Sequence, residues 1–373
     1  MLKMSKYLGI VLIVVILFAT SCDPFNSIIE KKSNSDAVTY YKAENIKSTI
    51  TGDTLNIVTW NIKFGAGRID FFFDCYGDRV IMKKEEVISN MNGVINKIKS
   101  LNPDIIYLQE ADVQSKRSAF IDQIQIILDN TDLNYGVYAS QWKADFVPSD
   151  GVGKVNSGNA ILSKYELTDA ERMPLDLIAE DPAYVQYFYL RRNILKANAK
   201  IGDKDFVLYG THTSAYSNDG TKLKQLKAIK EELDKTNSEG KTFIMGGDFN
   251  TIPPNSVRYE LFDDGAEAGG CDSTSSYFET GFAGQLDDMK MFFDTYNAAI
   301  PLSKYGLTDA NQKNYYSFTA DKNGFWNRKL DYIFTNKDFA GNSGKVHQKG
   351  NDDGLPTMPL SDHAPLSVKF KLK

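Results

Sequence analysis

Six short apolar segments, each carrying a polar or ionisable residue at or near one end, constrain this chain more than any other feature. Residues 54–61 (TLNIVTWN) end in Asn61, residues 104–110 (DIIYLQE) in Glu110 and residues 206–212 (FVLYGTH) in His212. Residues 242–250 (TFIMGGDFN) end in Asp248 and Asn250, residues 329–335 (KLDYIFT) carry Asp331, and residues 361–370 (SDHAPLSVKF) begin with Asp362 and His363. Their β-branched, aromatic and alternating apolar content reads as buried strands. Helical periodicity separates some of them. Val87, Met91, Ile95 and Ile98 mark one face of a helix over residues 85–101, and Leu223, Leu226, Ile229 and Leu233 mark a second helix. Strands alternating with amphipathic helices give an α/β chain, and periodicity alone allows a parallel doubly wound sheet.

Polar residues at strand ends are where α/β folds build sites. In GGDFN, the paired glycines would let the backbone turn, and Asp248 and Asn250 would point the same way if the extended geometry continued. Each residue also has an ordinary explanation. Asp and Asn are turn formers, Asn61 and Glu110 can cap, and His212 can be a satisfied core histidine. Asp331 resists that explanation, because an ionised carboxylate in an apolar strand is costly unless paired or metal-bound. The chain has three histidines, and two of them fall in these motifs. Oxygen donors from Glu110, Asp362 and the amides suit Mg²⁺ or Mn²⁺, whereas the thiolate or histidine clusters typical of zinc are missing. Hard cation plus histidine points to hydrolysis of a phosphate ester by a positioned water.

Lys3 and Lys6 precede an apolar run over residues 7–18, and Ala19-Thr20-Ser21-Cys22 follows. This reads as an export signal over residues 1–21, too short for a confident membrane span. The cysteine after small residues resembles a bacterial lipobox, which would make Cys22 a lipidated, membrane-anchored first residue outside the cytoplasm. A plain secretory signal is the alternative. Polar residues 22–52 read as a flexible tether holding the body roughly 30 Å from the anchor. Residues 53–373 then form one large domain. Cys75 and Cys271 could pair in an oxidising compartment. A formal net charge of −5 and a pI near 5.4 rule out a global basic field for nucleic acid, without excluding a nuclease.

The motifs TWN (59–61), LQE (108–110), SGNAILSK (157–164), GTH (210–212), GGDFN (246–250), LDYIF (330–334) and SDHAP (361–365) occur in the order of the endonuclease/exonuclease/phosphatase superfamily, which this chain resembles over nearly its whole length beyond the tether. The resemblance implies a four-layer sandwich, two mixed β-sheets face to face with helices outside. It implies that Glu110 is the principal metal ligand with Asn61 and Asp362 completing the site. Asp248 and Asn250 would position the attacking water and the phosphate, with Asp248 a candidate base, and Asp331 would orient His363 on the phosphate. His212, where abasic-site endonucleases of the superfamily carry Tyr, places the chain nearer DNase I-like nucleases, sphingomyelinases and inositol-phosphate phosphatases. The expected substrate is therefore a phosphodiester of nucleic acid or of a phospholipid headgroup, acted on by a monomer. A catalytically silent binding protein on the same fold is the rival reading. GTHTSAY lacks the Leu that commonly follows this histidine, which bears on the loop's register. Arg191 and Arg192 could place a guanidinium on the phosphate or lie as solvated strand-edge charges. The aromatic stretch 67–79 reads as buried packing, with a substrate-facing loop as the alternative, residues 263–288 as a surface insertion and residues 341–361 as a rim to the site.

Overall fold

The computed structural model describes residues 25–27, 33–74, 77–215, 217, 219–254, 287–305, 310–320, 322–349 and 354–372. Cys22, Cys75, Cys271 and most of the 263–288 stretch lie outside them. Among the described residues, thirteen strands form two sheets. One has the order β1 (Val38–Lys42), β4 (Tyr135–Val147), β5 (Gly153–Ser163), β3 (Ile105–Asp112), β2 (Thr54–Asn61), β13 (Leu366–Lys371), β12 (Lys345–Val346). The other runs β10 (Asn297–Ala298), β11 (Asp331–Thr335), β9 (Thr242–Asp248), β8 (Lys204–His212), β7 (Asn193–Ile201), β6 (Leu167–Pro174).

Both sheets are mixed. The only parallel pairs among the described strands are β2–β3 and β8–β9. Each is joined by one long helix, α1 (Lys84–Leu101) and α4 (Thr221–Ser238), because a parallel return needs a crossover. The shorter helices α2 (Gln123–Asn130) and α3 (Ala183–Phe188) lie between them in sequence. Two-residue alternation divides the core. Leu55, Ile57, Ile105 and Tyr107 join residues of the second sheet in one cluster, while Val58, Trp60, Ile106 and Leu108 pack with Val87, Met91, Ile95 and Ile98 of α1. On the far side, Leu226, Ile229 and Leu233 of α4 cover the second sheet. The layers are helix, sheet, sheet, helix, and the doubly wound alternative falls away.

The paired glycines serve packing, not turning. Gly246 and Gly247 lie inside β9, and neither has positive φ. A Cβ on Gly246 would stand 2.5 Å from the Tyr107 ring, and one on Gly247 2.2 Å from the Thr211 carbonyl oxygen. Gly210 is the register partner of Gly246, so neighbouring strands leave a shallow seat for Tyr107, whose hydroxyl donates across the sheets to the Ile244 carbonyl at 2.7 Å. Part of the span read as a tether is also structured. Val38–Lys42 pairs antiparallel with β4, and Phe25 donates no slack either, its carbonyl accepting from the Asp145 amide at 2.7 Å. Val38, Tyr40 and Tyr41 alternate too weakly with polar neighbours to announce a strand without its partner.

Candidate active site

The site forms where β2, β8 and β9 end and β11 begins. Register sets its first row, with His212 beside Asp248 across the parallel β8–β9 pair and Asp331 beside Asp248 across the antiparallel β9–β11 pair. The 361–363 segment crosses the end of β2 and is fixed there on several bonds. Trp60 Nε1 donates to the His363 carbonyl at 2.9 Å, Ser361 Oγ donates to the Asn61 carbonyl at 2.7 Å, and the His363 amide donates to Ser361 Oγ at 3.1 Å. His363 is 4% exposed, and Asn61, His212, Asp248 and Asp331 are less exposed still.

These side chains meet. Asp331 Oδ2 lies 2.9 Å from His363 Nδ1, and His363 Nε2 lies 3.5 Å from Asp248 Oδ2. Asp331 Oδ1 is buried with no hydrogen-bond partner. Burial works against the charged imidazole, but the Asp331 and Asp248 carboxylates overcome it and raise His363 to about 10. Burial, opposed by His363 and reinforced by the Asp331 charge, raises Asp248 to about 7. His212 Nε2 lies 3.4 Å from Asp248 Oδ2, but this is no ion pair, since burial, Arg192 and His363 drive the His212 pKa well below its ordinary value and keep it neutral. Its Nδ1 meets Gln141 Nε2 at 3.3 Å. The residue after it, Thr213, donates its amide to the Asp248 carbonyl, so the missing Leu leaves the loop in register with β9.

Asn61 is the link to the second carboxylate group. Its Nδ2 donates to Glu110 Oε1 and to Asp248 Oδ2, each at 3.1 Å, and its Oδ1 accepts the Lys63 amide at 3.0 Å. It therefore presents its NH₂, not its oxygen, to the acids. Glu110 sits not at a strand end but at a β-bulge inside β3, with φ +56. Such strain in a non-glycine residue is characteristic of sites that re-aim a side chain. Burial and the neighbouring Asp362 charge raise the Glu110 pKa. Asp362 itself is held below its usual range, because Lys63, His363 and Arg68 together outweigh its burial. Lys63 Nζ stands 3.6 Å from Asp362 Oδ2 and 2.9 Å from Asp74 Oδ2.

Asn250 departs from the extended geometry assumed from sequence. Its φ is +46, its amide donates to Asp248 Oδ1 at 2.9 Å, and its Nδ2 donates to the Thr213 carbonyl at 3.1 Å. It braces Asp248 and the loop after β8. Lys222 of α4, silent in sequence, supports the same turn by donating to the Asn250 carbonyl at 2.6 Å and to the Ala215 carbonyl at 3.0 Å. Arg191 and Arg192 are 7% and 5% exposed, which overturns the reading of solvated edge charges. Arg192 donates to Gln141 Oε1 at 3.1 Å and faces Glu110 and Asp248, while the Arg191 amide donates to the Gln141 carbonyl. Gln141, which touches both His212 and Arg192, had no sequence signal beyond its place in an alternating strand.

The sequence model described as "Endonuclease/Exonuclease/phosphatase family" matches residues 58–363, the span that contains every residue of this site. The chain belongs to that family. Family members are phosphoesterases and nucleases, typically dependent on divalent metal. Three solved structures share the fold at a TM-score of 0.51 each. A family protein from Beutenbergia cavernae is 15% identical, with 86% of this chain and 72% of that one covered. One from Leptotrichia buccalis is 16% identical, covering 85% and 100%, and one from Bacteroides vulgatus is 14% identical, covering 86% and 99%. No curated protein matches the chain. At such identities these likenesses establish the fold alone. Two groups of acids in this family member stand close enough to be weighed as a metal site. Ligand atoms of Asp248, Asp331 and His363 lie within 4.8 Å of one another, and Glu110 and Asp362 repel each other nearby.

Proposed function

We propose that the protein is a Mg²⁺-dependent phosphodiesterase acting outside the cytoplasm, with Mn²⁺ as a competent substitute. The observation that carries this reading is the division of labour between the two acidic groups. In one, both ring nitrogens of His363 face carboxylates, which favours an imidazolium, and a cationic imidazole has no lone pair for a metal. In the other, Glu110 and Asp362 raise each other's cost of ionisation, and a divalent cation would relieve it. Glu110 and Asp362 would therefore hold the ion, with Asn61 fixing Glu110 through its amide. When bound, the ion would serve as a Lewis acid on the phosphate oxygens.

The remaining residues supply proton handling and orientation. Asp248, poised near neutrality and held by Asn61 and the Asn250 amide, accepts the proton of the attacking water. His363, kept cationic by Asp331, and Arg192 place positive charge against the phosphate. Neutral His212 fills the space between Gln141 and Asp248 and keeps bulk water from the base. The test is hydrolysis of bis-p-nitrophenyl phosphate by the full chain with Mg²⁺, Mn²⁺ or Zn²⁺ after chelation. Turnover restored by Mg²⁺ or Mn²⁺ supports the reading. Restoration by Zn²⁺ alone would reassign the metal, and inertness with all three would favour the silent binding protein.

The compartment rests on residues 1–22, whose charged, apolar and small-residue order supports export and lipidation at Cys22. Cys22→Ser is expected to move the protein from the membrane to the soluble extracytoplasmic fraction on cell fractionation. Retention of a processed mutant in the membrane would refute the anchor.

A further inference from the structure

One wall of the site is aromatic and open. Tyr189, just past α3, is 43% exposed, and its ring meets Trp142 edge-on with centroids 5.7 Å apart. The indole is itself pinned, because Trp142 Nε1 donates to the Phe188 carbonyl at 2.7 Å. The segment that follows Tyr189 is laid along the strand that serves the catalytic row. The Arg191 amide bonds the Gln141 carbonyl at 2.6 Å, and the Gln141 side chain touches His212 on one side and Arg192 on the other. The Tyr189 hydroxyl feels the charges of Arg192 and Glu110, and its burial raises its pKa. Much of the residue is open to solvent. α3 has no buried residue, and Tyr189 meets the core only at Trp142, which belongs to a small buried cluster with Ala144, Val147, Val152 and Val155.

We propose that Tyr189, backed by Trp142, is a specificity-determining platform that stacks a planar group, of the kind a nucleobase supplies, carried on the ester next to the scissile phosphate. This rests on the phosphodiesterase reading and adds a substrate class to it. The physical case is that an exposed ring held rigid by a neighbour loses little entropy on binding, and that any flat aromatic group has a face to offer it. Arg192 and Glu110 both act electrostatically on the Tyr189 hydroxyl, so a phosphate held by them would carry its adjacent ester substituent towards the ring. A saturated substituent gains little from such a wall.

The experiment compares three substrates with one leaving group: the p-nitrophenyl phosphodiesters of thymidine (through its 5′ oxygen), of phenol and of methanol, hydrolysed by wild type, Tyr189→Ala and Tyr189→Phe at saturating Mg²⁺. Expected is a rise of roughly five- to tenfold in the ratio of the thymidine KM to the methyl KM in Tyr189→Ala, with kcat on thymidine within about twofold and the ratio restored in Tyr189→Phe. A parallel rise for the phenyl ester shows that flatness suffices. No rise confined to it shows that the platform is matched to a base. An unchanged ratio, or one that stays high in Tyr189→Phe, overturns stacking. A wild type that hydrolyses none of the three overturns the phosphodiesterase reading itself, and the platform with it.

Discussion

Asp331 shows how a single residue can announce a site. An acid inside an apolar strand demands compensation, and the structure supplies it in His363 at 2.9 Å. Asp331→Asn is expected to lower turnover about 10²- to 10⁴-fold, the range of a lost proton-handling unit. His363→Ala should cost at least as much, and the double mutant little more than His363→Ala alone, because the two act together. Additive losses in steady-state kinetics would separate them. Glu110→Gln keeps the shape of its bulge but removes the charge, so the Mg²⁺ concentration for half-maximal activity should rise at least about tenfold, with activity partly recovered at high Mg²⁺. Lys222 makes a different prediction. Burial lowers its pKa to about 7, with Asp248 and Asp288 acting in the opposite sense. The unfolded chain, with an ordinary lysine near 10.4, then binds more protons than the native one between the two values. Stability should therefore rise with pH from about 7 towards 10, and Lys222→Met should flatten that rise in urea midpoints measured at pH 6.5 and 9. Lys222 was invisible in sequence because nothing in its helix shows which turn it will reach.

At the scale of elements, α4 depends on its entry. Asp219 accepts from the Thr221 amide at 3.0 Å, from the Thr221 and Ser217 hydroxyls at 2.8 Å each, and from the Ala179 amide at 2.7 Å, so from one residue before the Gly220 N-cap it satisfies the first helical amide and ties the helix to the loop after β6. Those donors outweigh its burial and depress its pKa. A carboxyl with a depressed native pKa contributes stability above the unfolded value near 3.9 and loses it as pH falls through the native one. Asp219→Ala should cost about 1 kcal/mol at neutral pH and weaken the fall in stability below pH 4, as followed by circular dichroism. The two long helices were legible from their apolar faces. β1 was not, because a short edge strand draws its register from β4 and not from its own alternation.

At the scale of the whole molecule, the two sheets approach closely where the Tyr107 ring sits over Gly210 and Gly246. Gly246→Val has no room there. It should destabilise the protein by roughly 1–3 kcal/mol, as overpacking does, and lower the thermal midpoint of the whole domain, since the wedge parts both sheets at once. A local loss of activity with an unmoved midpoint would contradict that. The sequence by itself singled out the residues that the fold brings together: Asn61, Glu110, His212, Asp248, Asp331, Asp362 and His363 stand out because polar groups in or beside apolar strands are expensive unless paired. It also determined the six strands that carry them, through their period, and the family, through the order of its motifs. Only the tertiary structure decided the rest. Periodicity could not separate a sandwich from a wound sheet, because both bury their central strands on two faces. The left-handed turn at Asn250, the bulge at Glu110, the inward Arg192 and the Gln141 bridge are set by which strands become neighbours, and neighbourhood depends on long-range pairing that no local run of residues encodes.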